Sequence, residues 1–242
     1  MGREWRLISA LFDTDVPVPE PLGFCDWPDI TGAWFYVMGC VDRHPLYGVE
    51  DAEMYVPPEN RVATGDSFID VLAALHDLAP EALGLSDLGK HDSYIGRQLK
   101  TWYRSWTASI EHAEYDDRRA HEFQEYFLAK MPEQGPIRVV HGDYGLHNTL
   151  IGKDGRVAAV VDWEISTLGD PLADLGYALN QWSEPGDVII GSPGGATTVG
   201  GFALKQYLID RYAERTGRDL SMLDYYIAFN RWKTACILHG KQ

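Results

Sequence analysis

The chain has 242 residues, enough for one large domain or two small ones with a substantial hydrophobic core. Hydrophobic residues make up 45% and charged residues 24%, as in an ordinary globular protein, and the formal net charge is −15. This acidic balance excludes broad binding to nucleic acid, which requires a basic surface.

The cysteines and the hydropathy of the chain both favour a cytoplasmic location. Cys25, Cys40 and Cys236 are odd in number, far apart and set among apolar residues, so they predict reduced core residues, without disulfides or zinc spacing. No apolar run approaches the ~20 residues that span a membrane, and the first residues lack the apolar core of a signal peptide.

The first part of the chain predicts one helix and two strands. Residues 3–12 place Trp5, Ile8, Leu11 and Phe12 at helical spacing. A proline-rich extended stretch at 16–21 leads to predicted strands at 22–25 and 34–41, joined by a turn-rich segment. Because so few elements cannot form a stable domain alone, we expect this part to lean on the rest of the chain.

The remaining chain predicts a mainly helical body. A polar loop is expected at 42–60 and a long glycine-rich loop, near the acceptor side, at 184–201. Apolar periodicity predicts helices at 64–78, 94–112, 116–130, 171–183, 202–216 and 222–238. The fold class is therefore α+β, with strands concentrated at the start and around residues 138–161.

Two apolar runs in the middle of the chain each end in a polar cluster. The run 138–140 is followed by His141, Asp143 and Asn148, and the run 157–161 by Asp162 and Glu164. We expect the two runs to form a strand pair joined through the tight turn 152–155. Each polar residue alone could simply cap a turn. Together they supply a proton acceptor and oxygen ligands for Mg²⁺, as phosphoryl transfer requires.

These residues carry a resemblance to a known family. The pattern H-G-D-x-x-x-x-N at 141–148, followed by D-W-E at 162–164, resembles the aminoglycoside phosphotransferase and choline kinase family. The wider run 162–177, with L-A-A-L-H-D at 72–77 and R-Q-L-K-T-W at 97–102, is most similar to a subgroup whose members occur alone or fused to acyl-CoA dehydrogenases. The resemblance covers nearly the whole chain.

The resemblance implies a protein-kinase-like fold, with a partial N-lobe and hinge at 1–41 and a helical C-lobe at 42–242. It also implies an ATP- or GTP-dependent, Mg²⁺-dependent phosphotransferase that acts on a hydroxyl of a small molecule. The acidic composition suits an aminated acceptor, whereas the subgroup suits a hydroxyacyl or lipid-related one, and both alternatives stay open. Oligomeric state is not predicted.

Residue roles follow from the same resemblance. Asp143 matches the catalytic carboxylate that orients or deprotonates the acceptor hydroxyl, and Asn148 and Asp162 match the Mg²⁺ ligands. The resemblance also implies three supporting residues. His141 matches the residue that braces the catalytic loop, and Asp174 matches a buried acid that supports it. Glu164 lies beside the metal site.

The nucleotide half of the site is implied by the first 41 residues. Met38, Gly39, Cys40 and Val41 match the hinge that lies against the adenine through backbone groups. Glu4 matches the acid that pairs with a phosphate-binding lysine in the family.

The start of the chain departs from the family pattern. The three strands that carry the glycine loop and this lysine would lie upstream of Glu4, where only residues 1–3 stand. We therefore expect a truncated chain with weak or absent transfer, since the phosphate clamps supply much of the electrostatic stabilisation. The alternative is an inactive, pseudokinase-like nucleotide-binding module or a fragment of a longer enzyme.

Other motifs are better explained by structure than by chemistry. Residues 84–91 approach a phosphate-binding loop, but Asp87 and His91 disagree with it, and an inter-helix loop is expected. His76 is expected to be packed or capping rather than a metal ligand. Trp102 and Trp106, one helical turn apart, indicate core packing. His147 could touch substrate or lie on the surface.

Overall fold

The computed structural model describes residues 1–188 and 195–240. The first part consists of α1 (Gly2–Leu11), β1 (Pro21–Cys25), α2 (Pro28–Thr31) and β2 (Phe35–Met38). The second part has seven described helices: α3 (Val49–Tyr55), α4 (Arg61–Asp77), α5 (Tyr94–Ala113), α6 (Arg118–Ala129), α7 (Pro171–Gln181), α8 (Lys205–Thr216) and α9 (Leu223–His239). Its strands are β3 (Arg138–Val140), β4 (Thr149–Ile151), β5 (Val157–Val160) and β6 (Thr167–Gly169). The fold is the predicted α+β arrangement, and the division at residue 41 stays a prediction.

The first helix packs its apolar face against the rest of the molecule. Leu7, Ile8 and Leu11 are buried, as helical spacing requires, together with Glu4. β1 and β2 form an antiparallel pair, with Cys25 opposite Phe35 and the short α2 between them. The second strand ends at Met38, three residues earlier than predicted.

The C-lobe core is built around α4, α7 and α9. Four apolar residues of α4, Phe68, Ile69, Leu72 and Leu75, are buried and belong to the larger of two hydrophobic clusters. α7 and α9 approach closely at Gly176, where a Cβ would lie 2.9 Å from the Tyr226 backbone. A side chain there would force the helices apart, so α7 is fixed firmly against the last helix.

The predicted pairing of strands in the middle of the chain is wrong. β3 pairs with β6, and β5 pairs with β4, a strand that the sequence reading missed. The turn lies where it was predicted, with Gly155 N–H donating to the Gly152 carbonyl at 2.9 Å and Gly155 in the left-handed region. Because β4 is only three residues long, its periodicity is too short to distinguish it from the loop before it.

Several smaller expectations are settled by the structure. The segment 42–60 is not wholly a loop, since it contains α3 and a 3-10 turn at Pro58–Asn60. All three cysteines are free, but only Cys236 is buried, and Cys40 is exposed, so the core prediction fails for it. No described helix has the length and apolar character needed to cross a membrane.

Most of the residues that were predicted to have structural rather than chemical roles do have structural contacts. The segment 84–91 is a loop without strand or helix, and Asp87 pairs with Arg6. His76 is fully buried, 2.7 Å from the Tyr212 hydroxyl. Trp106 is buried, whereas Trp102 is half-buried. Within the predicted loop 184–201, residues 189–194 lie outside the described residues, and a 3-10 turn occupies Ala196–Thr198.

Candidate active site

A buried carboxylate on α7 holds the turn that follows β3. Asp174 accepts hydrogen bonds from the backbone N–H of His141 at 2.7 Å and of Gly142 at 2.8 Å, and its Oδ2 lies 3.3 Å from His76 Nε2. Burial alone would raise the pKa of Asp174, but the His76 side chain, with help from His141 and Gly142, keeps it below its usual value. The turn itself needs Gly142, which lies in the left-handed region at φ +86°.

His141 lies beneath this turn as a fully buried side chain. Its Nε2 is 2.9 Å from the Val161 carbonyl, and its Nδ1 is 3.3 Å from the backbone N–H of Asp143. A neutral ring satisfies both contacts, donating from Nε2 and accepting at Nδ1. Burial lowers the pKa of His141, against the pull of nearby Asp174, and favours that neutral form. His141 therefore joins the turn after β3 to the end of β5.

Asp143 projects from this turn with 32% of its side chain exposed. The Tyr177 hydroxyl donates to its Oδ1, and His147 Nε2 lies 3.5 Å from the same oxygen. Burial would raise the pKa of Asp143, but the hydrogen bonds from His147 and Tyr177 hold it below its usual value. The carboxylate is thus charged, oriented and reachable, as a proton acceptor must be.

Asn148 and Asp162 stand at neighbouring ends of the β4–β5 hairpin. Val161 N–H donates to the Asn148 carbonyl at 3.0 Å. The Asn148 amide nitrogen donates to the Asp143 carbonyl at 3.0 Å and to its Oδ2 at 3.2 Å, which directs the amide oxygen elsewhere. Asp162 is exposed, with φ +64°.

The free oxygens at these two positions fit a hard cation. Among the described residues, neither Asn148 Oδ1 nor the Asp162 carboxylate has a hydrogen-bond donor or an ion-pair partner. Mg²⁺ prefers one or two carboxylates together with phosphate oxygens and water. No group of three or more His, Cys, Asp or Glu in residues 1–188 and 195–240 could hold a metal, so any cation here would depend on phosphates for further ligands.

Glu164 lies two residues beyond Asp162, and its side chain is exposed and makes no hydrogen bond or ion pair with another described residue. Trp163, between Asp162 and Glu164, is fully buried, and Ile165 is exposed. The hydrogen bonds of Asn148 join it to Asp143 and, at Val161 N–H, to the segment that carries Asp162. No hydrogen bond among the described residues links Glu164 to this group.

The predicted hinge joins the β1–β2 hairpin to the C-lobe. Gly39 N–H donates to the Glu20 carbonyl at 2.8 Å, and the Val41 carbonyl accepts from Arg43 N–H at 2.8 Å. Met38 and Cys40 are exposed. The N–H and carbonyl of Cys40 make no hydrogen bond to another described residue, so both are available to a planar ligand such as a purine.

Glu4 faces the N-lobe strands from α1. Its side chain is 11% exposed, and its carboxylate lies 3.4 Å from the Tyr36 hydroxyl and 3.4 Å from the amino group of Met1. Next to it, Arg3 donates to the Ser166 carbonyl at 2.6 and 3.1 Å. The guanidinium of Arg3 thereby links α1 to the segment that follows Asp162.

Two residues near Asp143 were missed by the sequence reading. Tyr177 lies three residues after Asp174, so it shares a face of α7 with that acid, which is a signal that could have been used. Lys233 lies on α9 and is 8% exposed; its Nζ is 5.4 Å from the Tyr177 ring centroid and 5.8 Å from that of Trp102. A lone lysine among Trp232, Phe229 and Cys236 is unusual on a buried helix face, and that pattern was its only signal.

Comparisons with known proteins identify the family to which the chain belongs. A family model described as the phosphotransferase enzyme family matches residues 1–218. Mouse acyl-CoA dehydrogenase family member 10 is 32% identical over 248 residues, which cover 98% of this chain and 22% of the mouse protein. The chain therefore spans about a fifth of the length of that relative.

Solved structures extend the likeness to three dimensions. A Ralstonia eutropha JMP134 protein assigned to the aminoglycoside phosphotransferases superposes with a TM-score of 0.84 at 31% identity, covering 98% of this chain and 72% of that one. A Streptomyces rimosus aminoglycoside phosphotransferase in complex with ADP and streptomycin has a TM-score of 0.56 at 17% identity, covering 96% and 81%. The second likeness concerns the fold alone.

Proposed function

The chain belongs to the phosphotransferase enzyme family, as its sequence motifs indicate, and we propose that it transfers the γ-phosphoryl group of ATP or GTP to a hydroxyl of a small molecule. Its fold is that of the protein-kinase-like phosphotransferases. The observation that carries the proposal is the position of the Asp143 carboxylate beside Asn148 and the segment of Asp162, whose side-chain oxygens accept no hydrogen bond from a described residue.

Asp143 is the group that meets the acceptor. Its carboxylate is one-third exposed, and Tyr177 and His147 fix its direction, so it can accept the proton of an acceptor hydroxyl and aim that oxygen at the phosphoryl group. His141 and Asp174 act behind it as positioning residues. Asn148 and Asp162 would hold Mg²⁺, which supplies charge neutralisation on the transferring phosphates when bound.

The hinge supports the nucleotide part of the proposal. Cys40 offers an unpaired N–H and carbonyl, and Met38 lies exposed before them on β2, which suits the edge of a purine base. Met38, Gly39, Cys40 and Val41 are proposed to line the base, and Glu4 to position a phosphate-binding cation. The ADP complex of the Streptomyces relative supports a nucleotide in this fold.

Location and acceptor are proposed from weaker support. Three free cysteines suit a reducing compartment, and we propose the cytoplasm. The acceptor is a small hydroxyl compound, and the subgroup likeness to an acyl-CoA dehydrogenase family member favours an acyl-type compound over an antibiotic.

The experiment separates binding from transfer. Calorimetric titration with ADP and GDP, each with and without Mg²⁺, measures nucleotide binding, and a coupled assay of nucleotide diphosphate release measures transfer to a panel of hydroxyl compounds. Mg²⁺-dependent binding together with acceptor-dependent release is expected, and the rate of release tests the prediction that transfer by this chain is weak. Binding without release would favour the pseudokinase-like alternative, and absence of binding would contradict both.

A further inference from the structure

Lys233 is a buried cation without a partner. The residue is 8% exposed, and its side chain forms no hydrogen bond or ion pair with any described residue. Desolvation lowers the pKa of Lys233, against the attraction of Asp174 and Asp143. A buried ammonium group usually pairs with a carboxylate or a carbonyl, because its three donors are costly to leave unused.

The nearest acids are already engaged by other groups. Asp143 receives the Tyr177 hydroxyl, and Asp174 receives two backbone N–H groups beside His76. Both acids act on Lys233 through space only. The lysine is therefore not explained as half of a structural ion pair.

The ammonium group of Lys233 keeps partial contact with solvent. The fully enclosed side-chain atoms without a partner in the described part of the chain are Arg138 Nε, Thr149 Oγ1 and Arg218 Nε. Lys233 Nζ is not one of them, although it too lacks a partner, so it keeps contact with solvent. A ligand atom can reach it where water now can.

Two aromatic rings flank the ammonium group of Lys233. Lys233 Nζ lies over the faces of Tyr177 and Trp102, at 5.4 and 5.8 Å from their centroids. The same Tyr177 donates its hydroxyl to Asp143. Tyr177 thus has the Asp143 carboxylate at its hydroxyl and the Lys233 ammonium group over its ring, so both groups lie against the same side chain.

We propose that Lys233 binds an oxyanion of the acceptor while the acceptor hydroxyl lies at Asp143, so that the substrate class is an anionic hydroxy compound, a hydroxy carboxylate or a hydroxyalkyl phosphate. The proposal rests on the proposed phosphotransferase function of this site. It decides against a cationic, aminated acceptor, because the ammonium form of Lys233 that binds the oxyanion would repel such an acceptor. The Trp102 ring would cover the carbon chain between the two polar groups.

The test measures binding first, so that it does not depend on turnover. Short-chain hydroxy acids, their neutral amides, the matching amino alcohols and a hydroxyalkyl phosphate are titrated into the protein with Mg²⁺ and ADP. Lys233→Met removes the charge at similar length, Lys233→Arg restores a cation, and Lys100→Met alters an exposed lysine on α5 as the matched control. Circular dichroism and MgADP affinity establish that each variant is folded.

We expect the wild type to prefer the acid or the phosphate over amide and amine. Lys233→Met should weaken oxyanion binding about tenfold to a hundredfold, as for loss of a hydrogen bond to a charged group, with MgADP affinity unchanged. Lys233→Arg should restore part of it, and Lys100→Met should behave as wild type. The tighter binding of the two anionic compounds, the hydroxy acid or the hydroxyalkyl phosphate, identifies which oxyanion the acceptor carries.

The outcomes separate this proposal from the proposed function. Oxyanion binding that needs Lys233, without any phosphoryl transfer, would support the lysine site and count against the phosphotransferase proposal. Four results would overturn the lysine proposal. For the wild type they are equal affinity for acid, amide and amine, or no oxyanion binding at all. For Lys233→Met they are unaltered oxyanion binding, or a loss of MgADP binding alone.

Discussion

Asp143 owes its ionisation to two donors from different parts of the chain. His147 comes from the 3-10 turn before β4, and Tyr177 from the second turn of α7. Both lower the pKa of Asp143 against the burial that raises it. The pKa of Asp143 therefore depends on the position of α7, which carries Tyr177.

Removal of one donor should be visible in the titration of Asp143. In Tyr177→Phe the carboxylate loses a hydrogen bond that favours its charged form, so its pKa should rise, and the acidic limb of any activity profile should move to higher pH. A carbon-13 NMR titration of the Asp143 carboxyl measures this directly. Tyr207→Phe, which removes a hydroxyl bound to Asp66, is the control. An unchanged Asp143 titration in Tyr177→Phe would refute the role of that hydroxyl.

Asp162 should control the metal dependence of nucleotide binding. Asp162→Ala removes the carboxylate proposed to hold Mg²⁺, so affinity for MgADP should fall at least about tenfold, since even outer partners of a metal contribute that much. Affinity for ADP without Mg²⁺ should change little or improve, because a negative charge is lost. Glu164→Ala is the matched control, and calorimetry measures both. Equal losses in the two variants would contradict the assignment.

The sequence was informative about residues that lie within one short pattern. His141, Asp143, Asn148 and Asp162 could be proposed as site residues on that pattern, and their roles stay predictions. Tyr177 and Lys233 lie outside it: the three-residue spacing from Asp174 to Tyr177 and the apolar neighbours of Lys233 were only weak signals. Their closeness to Asp143 depends on the packing of α7 against α9.

At the scale of elements, α7 is the part that holds the turn after β3. Asp174→Ala removes the acceptor of the His141 and Gly142 N–H groups and leaves His76 without its carboxylate. We expect a loss of about 3 kcal/mol in the free energy of unfolding, as when one partner of a buried pair is removed. Denaturant unfolding at neutral pH measures it.

The pH dependence of this loss has a definite sign. The folded-state pKa of Asp174 is lowered from 3.8, so its contribution is complete above the unfolded-state pKa and disappears as pH falls through the lower, folded-state value. The gap between wild type and Asp174→Ala should therefore narrow in acid. Asp70→Ala, at a partly exposed ion pair with Arg211, should cost about 1 kcal/mol or less. A small loss in Asp174→Ala at neutral pH would contradict the anchoring role.

The contact between α7 and α9 should tolerate no side chain at Gly176. Gly176→Ala places a Cβ within 3.0 Å of the Tyr226 and Ile227 backbones, which cannot rotate away. We expect roughly 1–3 kcal/mol of destabilisation. Gly96→Ala on α5 meets mainly the Ser93 hydroxyl, which can turn aside, and should not destabilise because alanine favours helix. Thermal unfolding of both distinguishes steric from propensity effects, and equal melting temperatures would count against the close contact.

Elements with long apolar periodicity could be predicted, and short ones could not. The bounds of α5 and α9 agree with the expectation to about one residue, whereas α3 and β4 were missed and β3 was given the wrong partner. Strand pairing depends on contacts between distant residues, such as Val139 opposite Leu168. Such contacts leave no signal in a three-residue strand.

At the scale of the whole molecule, the first part of the chain and the C-lobe meet around the candidate site. Val160 N–H donates to the Pro17 carbonyl at 2.8 Å, and Arg3 binds the carbonyl of Ser166. The stretch before β1 is thus tied to β5, and α1 to the segment after Asp162. The α+β class and the family could be predicted from the sequence because they rest on one specific pattern and on the periodicity of long helices.

The proposed phosphoryl transfer depends on groups from both parts of the molecule at once. It requires a nucleotide at the hinge, Mg²⁺ at Asn148 and Asp162, and a hydroxyl at Asp143. Asp143→Ala should lower transfer about 10²- to 10⁴-fold, the usual contribution of a general base, while MgADP affinity stays nearly unchanged because Asp143 faces the acceptor.

The most direct measurement follows the labelled γ-phosphoryl group of ATP into a phosphoester by mass spectrometry, with wild type and Asp143→Ala compared in the presence and absence of Mg²⁺. The predicted result is a labelled phosphoester from the wild type with Mg²⁺ and almost none from Asp143→Ala. Equal phosphoester formation by the two proteins would contradict the assignment of Asp143, and formation without Mg²⁺ would contradict the metal-dependent mechanism.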